Sequence, residues 1–300
     1  MPKVSVVIPT YNQAELLREA LESVRAQTMT DWEAMIINNH SVDNTVQVIN
    51  EFSEPRFQRI DFANDEIIAA SRNKGIELSS GEWVAFLDSD DLWASNKLEI
   101  SLAEAGNSDL LCHREATVKN GGTVSISPHF TPADATYRRL LFERNCFSPT
   151  AVMVRRNVLE QVRGFSKDRS LVTCEDHDLW LRLAARGVRV RFVDRVLSTY
   201  RLHDANTSTA VDRHLNAGLA VITQHYEAME SKKPLDWIRL QRRLAMIIYG
   251  AARNCQKAGN NIEARRYFAR SLLLFPFYTR SLIFGLIAFM KGMARSSDGV

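Results

Sequence analysis

Hydrophobic runs of strand length alternate with segments of helical spacing along the first hundred residues. The predicted strands lie at residues 4–8, 33–37, 57–62 and 83–87. Between them, Asn12 and Glu15 are spaced as a capping box that opens a helix, Asp43 can cap a second helix, and residues 71–78 form a third. Strict alternation of strand and helix is typical of parallel βαβ units.

The pattern changes after residue 100. Residues 109–127 read as a hairpin around Asn120-Gly121-Gly122, and strand patterns follow at residues 149–154 and 188–193. Between those strands, Glu175 and Asp176 open a helix that stops at Gly187. Beyond residue 206 the pattern is helical, with a break at Pro234. We therefore expect an α/β domain over residues 1–205 and a helical region over residues 206–300.

Composition narrows the classes of protein. The 300 residues are 45% hydrophobic and 24% charged, which is ordinary for a globular protein. A net charge of +3 does not argue for a nucleic-acid partner. The four cysteines form no CxxC pair, so we expect reduced thiols and a cytoplasmic location. The chain enters a strand at once, without the pattern of a signal peptide, and no run of about 18 apolar residues predicts a transmembrane helix.

The segment from Gly81 to Trp93, GEWVAFLDSDDLW, combines a buried-strand pattern with three carboxylates. Asp88, Asp90 and Asp91 follow the apolar run directly, where open α/β sheets bind ligands. Carboxylates this close repel one another unless a cation lies between them, which favours a hard divalent metal that in turn holds a phosphate. The alternative is an acidic turn whose Asp or Ser95 caps the next helix.

Five blocks of the sequence resemble, in order, the family 2 glycosyltransferases. They are VSVVIPTYNQ at 4–13, SRNKGI at 71–76, FLDSDD at 86–91, RGFS at 163–166 and CEDHDLWLRLA at 174–184. The resemblance covers roughly residues 4–208 and implies an inverting enzyme of the GT-A fold. That fold is a Rossmann-like, mixed, mostly parallel sheet flanked by helices, here with an α-helical C-terminal extension. The implied activity moves a sugar from a nucleotide donor, by expectation a UDP-sugar, to a hydroxyl of a glycan or lipid-linked acceptor in cell-surface polysaccharide synthesis.

The resemblance also implies which residues bind the nucleotide. Thr10, Asn39 and Asp88 match nucleotide contacts, with Asp88 accepting from a ribose hydroxyl. By the same analogy Arg72 faces the nucleotide or its phosphates. Without the resemblance, Thr10 is a turn residue, Asn39 a strand-end cap and Arg72 a solvated helical residue.

A divalent metal, Mn²⁺ or Mg²⁺, is implied at the acidic segment. Asp90 matches the metal ligand of the family's DxD motif. Asp91 is expected to support Asp90 without binding the metal directly. His203, in Tyr-Arg-Leu-His, reaches the metal or the diphosphate in the manner of some family members, whereas an isolated His is otherwise structural. The metal acts as a Lewis acid on the departing diphosphate.

Asp176 is the candidate catalytic base, with Glu175 and Asp178 as lesser candidates. The base removes the acceptor proton while the hydroxyl attacks the anomeric carbon from the face opposite the diphosphate. The alternative is stability alone, since acidic residues in a first helical turn interact favourably with the helix dipole. Trp180 is predicted to pack in the core, with stacking on a sugar as the other option.

The chain departs from the family at residues 38–40. Where the family has V-D-D/N-G-S, this sequence has Ile37-Asn38-Asn39-His40-Ser41. The carbonyl of Asn39 can still accept from a uracil N3–H. Asn38 and His40 nevertheless replace an acid and a glycine, so the nucleotide preference is left open.

Three other functions are alternatives to the transferase. A phosphatase of the haloacid dehalogenase type would use Asp88 as its nucleophile, but Leu92 stands where that motif needs Thr or Val. A nucleotidyltransferase would need a Gly-rich basic first loop. A non-catalytic sugar-nucleotide-binding protein would not need both Asp90 and Asp176.

The C-terminal helices are basic and apolar. Residues 264–297 carry six basic residues and no acid: Arg265, Arg266, Arg270, Arg280, Lys291 and Arg295. Aromatic and aliphatic residues between them predict association with an anionic membrane, on the inner face for a cytoplasmic enzyme. The alternative is a helical hairpin packed on the catalytic domain or on a partner subunit.

Overall fold

The computed structural model describes residues 2–203, 211–281 and 283–285, which divide into two compact units. The first unit comprises residues 2–137, 145–169 and 175–203, and the second comprises residues 138–144, 170–174 and the described residues from 211 onward. The predicted domain boundary at 205/206 lies outside the described residues, as do Lys291 and Arg295. That boundary stays a prediction.

The first half of the sheet is built from the predicted βαβ units. Its strands run parallel in the order β3-β2-β1-β4. Their bounds are Val4–Thr10 (β1), Trp32–Asn38 (β2), Phe57–Asp61 (β3) and Trp83–Phe86 (β4). The connecting helices are Ala14–Arg25 (α1), Thr45–Glu51 (α2) and Ile68–Leu78 (α3).

The second half makes the sheet mixed, and the described strands continue in the order β4-β8-β6-β9-β5, with β7 paired to β6. Its strands are Leu92–Trp93 (β5), Leu110–Lys119 (β6), Gly122–Ile126 (β7), Val152–Arg155 (β8) and Val190–Leu202 (β9). Its helices are Lys97–Ala103 (α4), Tyr137–Phe142 (α5), Arg156–Gln161 (α6) and Glu175–Ala185 (α7). A mixed α/β sheet flanked by helices confirms the predicted fold class.

Strand direction determines where polar residues collect. β4 and β6 are both antiparallel to β8, so they point the same way, and β9 is parallel to β6. β6 pairs with β8 only from Leu110 to Cys112, and its later residues continue along β9, where Glu115 faces Ser198 in register. The later part of β6 therefore lies at the same edge of the sheet as the loop after β4.

The start of α1 differs from the predicted capping box. Asn12 has a φ of 50°, and its Oδ1 accepts from the backbone N–H of Val42 at 2.8 Å. The first N–H of α1, from Ala14, instead donates to Asp43 Oδ2 at 3.1 Å, while Thr45 N–H donates to Asp43 Oδ1 at 3.0 Å. One carboxylate thus satisfies N–H groups at the beginnings of both α1 and α2, as a capping side chain does.

The second unit contains most of α5 and, among the residues described from 211 onward, the helices Val211–Glu227 (α8), Asp236–Lys257 (α9) and Asn261–Leu274 (α10). α9 and α10 share a small core of Ala252, Cys255, Ala264 and Phe268. The helical C-terminal region is confirmed. Within the described residues, no helix is both long and apolar enough to cross a membrane.

Candidate active site

The loop after β4 is held by Asp91, which is buried. Its Oδ2 accepts from Thr150 Oγ1 at 2.6 Å, and its Oδ1 accepts from the backbone N–H of Arg201 at 3.1 Å. Burial and the neighbouring carboxylate of Glu115 raise the pKa of Asp91 well above its usual range. Asp91 therefore fastens the loop to the residues before β8 and to β9, the arrangement that a supporting role requires.

Asp90 and His203 come together across 113 residues of sequence. His203 Nε2 lies 2.9 Å from Asp90 Oδ2, and both side chains are partly exposed. Burial and the carboxylate of Asp88 raise the pKa of Asp90, and His203 opposes this shift. Arg201 adds a contact from its guanidinium to the Asp90 backbone carbonyl.

The chemistry of this pair fits a divalent metal. A carboxylate oxygen and an imidazole nitrogen are both ligands of Mn²⁺, and Mg²⁺ sites commonly combine one or two carboxylates with substrate phosphates. Among residues 2–203, 211–281 and 283–285, no group of three or more His, Cys, Asp or Glu side chains could hold an ion by itself. The protein would therefore supply part of a coordination shell that diphosphate and water complete.

Arg72, on α3, joins the acidic loop to the beginning of α7. Its Nη2 lies 2.7 Å from Asp88 Oδ1, and its Nη1 lies 2.7 Å from Glu175 Oε1. The Arg72 side chain is only 4% exposed. Burial by itself would lower the pKa of the guanidinium, but the two carboxylates raise it. Arg72 is thus a buried cation shared between two segments that were predicted to serve different substrates.

Asp176 follows Glu175 and is partly exposed at the first turn of α7. Burial and the charge of Glu175 raise the pKa of Asp176 to about 7, while Arg72 opposes that shift. A carboxylate with such a pKa can accept a proton near neutral pH. Asp178, in contrast, forms an ion pair with Arg182 at 2.8 Å.

Trp180 packs in the core. It is buried, with its ring centroid 5.5 Å from that of Phe147 and 6.4 Å from that of Phe165. The prediction that it packs rather than stacks on a sugar agrees with this position.

Thr10 and Asn39 lie together at the ends of β1 and β2. The Asn39 N–H donates to the Thr10 carbonyl at 3.0 Å, and Asn39 Oδ1 accepts from Asn64 N–H at 3.0 Å. The buried Thr10 Oγ1 has no hydrogen-bond partner within the part of the chain that the structure describes. The Asn39 oxygen retains a second lone pair for a ligand.

The departure at residues 38–40 has a structural reason. Asn38 is buried and donates from Nδ2 to Asp61 Oδ1 at 2.7 Å, while its Oδ1 accepts from Ser41 N–H at 3.1 Å. An aspartate at position 38 would place two carboxylates against each other, whereas the amide makes both bonds. His40 has a φ of 51°, in the left-handed region that favours the glycine usual in the family.

Glu115 is the acidic residue that the sequence did not point to. Its Oε2 accepts from Ser198 Oγ at 2.9 Å and from Ser148 Oγ at 3.4 Å. Burial raises its pKa to about 7; the two serines oppose that shift, and Asp88 adds to it. The only signal in the sequence was a charged residue within a strand pattern, which does not reveal its neighbours on β9.

A sequence model of the family described as Glycosyl transferase family 2 matches residues 5–163. The Escherichia coli protein WfgD, a UDP-Glc:alpha-D-GlcNAc-diphosphoundecaprenol beta-1,3-glucosyltransferase, is 30% identical over 209 residues, which are 69% of this chain and 79% of WfgD.

Two solved structures share the fold. The S. aureus TarS structure in complex with UDP superposes with a TM-score of 0.63 at 19% identity, over 91% of this chain and 81% of that chain. The mannosyltransferase PcManGT from Pyrobaculum calidifontis, in complex with GDP-Man and Mn²⁺, superposes with a TM-score of 0.61 at 18% identity, over 96% of this chain and 84% of that chain.

Proposed function

The chain belongs to glycosyl transferase family 2, and from that membership we propose that it moves a sugar from a UDP-sugar to a hydroxyl of a glycan or lipid-linked acceptor, with inversion. The observation that carries this proposal is the Arg72 bridge. One buried guanidinium binds Asp88, at the acidic loop, and Glu175, next to Asp176. A donor-binding carboxylate and a base are thereby kept within one site, as transfer between two substrates requires.

We assign the nucleotide to the ends of β1 and β2 and to Asp88. The Thr10 hydroxyl, which has no hydrogen-bond partner among the described residues, and the second lone pair of Asn39 Oδ1 are available to a base or ribose. Asp88 Oδ1 is engaged by Arg72, and its other oxygen accepts from a ribose hydroxyl. Arg72 adds positive charge beneath the diphosphate.

Asp90 and His203 would hold a divalent metal, with Asp91 keeping the loop in place. When bound, such an ion neutralises charge on the departing diphosphate. The residues fit this role because they offer two donor atoms at one point and leave the other positions to phosphate and water.

Asp176 takes the proton. The acceptor oxygen forms a bond to the anomeric carbon while the bond from that carbon to the diphosphate oxygen breaks, and the hydroxyl proton passes to the Asp176 carboxylate. Attack from the face opposite the diphosphate inverts the anomeric configuration. The pKa of about 7 suits the task because about half of the carboxyl groups are ionised at pH 7 and the carboxylate is still basic enough to take a proton.

The proposed acceptor class rests on the relatives. WfgD is named for transfer to a diphosphoundecaprenol-linked sugar. We extend a lipid-linked or polymeric acceptor to this chain and place the enzyme in the cytoplasm, at the inner face of the membrane, within cell-surface polysaccharide synthesis.

A panel of nucleotide sugars, screened for hydrolysis without acceptor and for thermal stabilisation with Mn²⁺, tests the proposal. We expect UDP with Mn²⁺ to raise the thermal midpoint and one UDP-sugar to be hydrolysed faster than the others. Turnover of p-nitrophenyl phosphate without any effect of UDP would contradict it and favour the phosphatase. UDP binding without hydrolysis or transfer would favour the non-catalytic alternative.

A further inference from the structure

The helical unit exposes large apolar side chains at one end. Ser271 Oγ on α10 donates to the Ala245 carbonyl on α9 at 2.8 Å, and a short turn joins the two helices. Because two helices joined in this way run antiparallel, the beginning of α9 and the end of α10 lie at the same end of the hairpin. The apolar residues exposed there are Leu235, Trp237, Ile238, Leu273 and Phe277, which we call the apolar tip.

The side chains of the apolar tip are not the ones that pack α10 against its neighbours. The inner face of α10 is already filled by Ala264, Phe268 and Ser271. Leu273 is 86% exposed, Phe277 82% and Trp237 61%. Several large aromatic and aliphatic side chains exposed at one end of a helical hairpin mark an interaction surface.

Exposed basic residues flank the apolar tip in sequence. Arg270 and Arg280 are exposed beside Leu273 and Phe277, and Lys233 is exposed beside Leu235. The acid within this part of α9, Asp236, is fully buried and paired with Arg138 and Arg239. Residues 264–280 contain four arginines and no acid, against a net charge of +3 for the whole chain. Glu227 and Glu230, before α9, are the nearest exposed acids in sequence.

We propose that the apolar tip docks on an anionic lipid bilayer. Trp237 and Phe277 enter the interface between headgroups and acyl chains, where aromatic rings are favoured, and Arg270, Arg280 and Lys233 contact anionic headgroups. A second copy of the chain is a poorer occupant because a two-fold contact would bring like charges together. This inference rests on the proposed function, because a lipid-linked acceptor would be found at the membrane.

Co-sedimentation of the full chain with vesicles tests the docking. Vesicles of phosphatidylcholine alone are compared with vesicles containing about one third phosphatidylglycerol at roughly 0.1 M salt, where surface charges still act over about 10 Å. We expect binding to the anionic vesicles that weakens as salt rises. Each basic residue near such a surface contributes about fivefold in affinity, so Arg270→Glu with Arg280→Glu should lower it at least about 25-fold.

The double substitution Trp237→Ser with Phe277→Ser should lower binding at least tenfold. Lowering the salt concentration should not restore the binding of this variant. The matched controls are Val124→Ser with Ile126→Ser, exposed on β7, and Arg186→Glu with Arg195→Glu, exposed elsewhere. Both controls should bind as the unsubstituted chain does. Thermal midpoints confirm that every variant is folded.

Three outcomes would overturn the docking. They are no binding to anionic vesicles, binding that both tip variants retain, and a dimer in light scattering that the tip variants dissociate. UDP-sugar hydrolysis is measured on the same variants and should stay unchanged. No vesicle binding by an unsubstituted chain that still hydrolyses a UDP-sugar would reject the docking alone. Absence of hydrolysis in every variant and in the unsubstituted chain would reject the proposed function.

Discussion

Arg72 Nη1 lies 2.7 Å from Glu175 Oε1, although 103 residues separate them in sequence. Both side chains are less than a tenth exposed, and the other end of the same guanidinium binds Asp88. A buried ion pair costs desolvation of both charges, and replacing both partners by apolar groups is often neutral. We infer that the pair is kept because it fixes α7, and hence Asp176, relative to the acidic loop.

Replacing Arg72 should destabilise the fold strongly. Arg72→Met leaves Glu175 buried without its cation, and breaking a buried pair in this way costs about 3–5 kcal/mol. Urea unfolding measures the loss. The control is Arg59→Met, which breaks a half-exposed pair with Asp61 at 3.4 Å and should cost less than about 1 kcal/mol. An equal loss of unfolding free energy in the two variants would show that the buried bridge contributes no more to stability than the half-exposed pair.

Two helical glycines should respond oppositely to alanine. A Cβ at Gly75, on α3, would lie 2.3 Å from Val7 Cγ1, so Gly75→Ala overpacks the core and should cost about 1–3 kcal/mol. A Cβ at Gly250, on α9, would meet no atom of the described chain outside its own helix backbone within 4 Å, so Gly250→Ala should stabilise by about 0.5–1 kcal/mol. Chemical denaturation measures both.

The partner of Gly75 supplies a check. Val7→Ala removes the two methyl groups that the new Cβ would meet, so the double variant should lose less stability than the sum of the single variants. Additive losses would mean that the clash is relieved elsewhere in α3.

Asp90→Asn should abolish the manganese-dependent part of UDP affinity. The substitution replaces a charged oxygen ligand by a neutral amide while keeping its shape, so UDP binding without metal should change little. Calorimetry with and without Mn²⁺ separates the two quantities. The exposed Asp31→Asn serves as control, and unchanged metal dependence in Asp90→Asn would remove Asp90 from the site.

The pH dependence of transfer should follow Asp176. Its carboxyl must be ionised to accept a proton, and its pKa in the folded protein is about 7. The value of kcat/KM, which reports the free enzyme, should therefore fall about tenfold per pH unit below 7. A flat profile between pH 5 and 7 would assign the proton to another group.

The free energy of unfolding should also depend on the ionisation of Asp176, but it should fall as pH rises, whereas transfer should increase. The pKa of Asp176 rises from 3.8 to about 7 on folding, so the folded protein binds more protons in this interval and the free energy of unfolding falls as pH rises through it. Asp176→Asn removes this loss, so the variant should gain stability relative to the unsubstituted chain between pH 5 and pH 8, by less than about 4 kcal/mol. Thermal midpoints at the two pH values test this, and an equal difference at both would contradict it.

The sequence predicted the βαβ units and the acidic loop because these features are local. A strand period, a Gly and three carboxylates within four residues can be recognised without knowing any distant contact. The prediction for the start of α1 was wrong because it, too, relied only on local residues. Asn12 has the residue type and spacing of a cap, but the N–H of Ala14 finds Asp43, which arrives from the next βα turn.

Contacts between residues far apart in sequence could not be predicted from local patterns. The analogy placed Arg72 towards the nucleotide, yet nothing local indicated that Glu175 would take its other end. Glu115 was missed because a charged residue in a strand does not reveal that Ser198 stands opposite it in register. His203 could be proposed only from the resemblance, and its 2.9 Å approach to Asp90 depends on the length of β9.

Transfer by Asp176→Asn, measured with thermal midpoint and UDP affinity on one preparation, tests most directly whether Asp176 is the base. Asn keeps the shape of the side chain but cannot accept the proton, so transfer should fall about 100-fold or more while folding and UDP affinity persist. Glu175→Gln, which instead weakens the Arg72 bridge, should lower stability as well. Transfer at the unsubstituted rate in Asp176→Asn would contradict the assignment and move the base to Glu175 or Asp178.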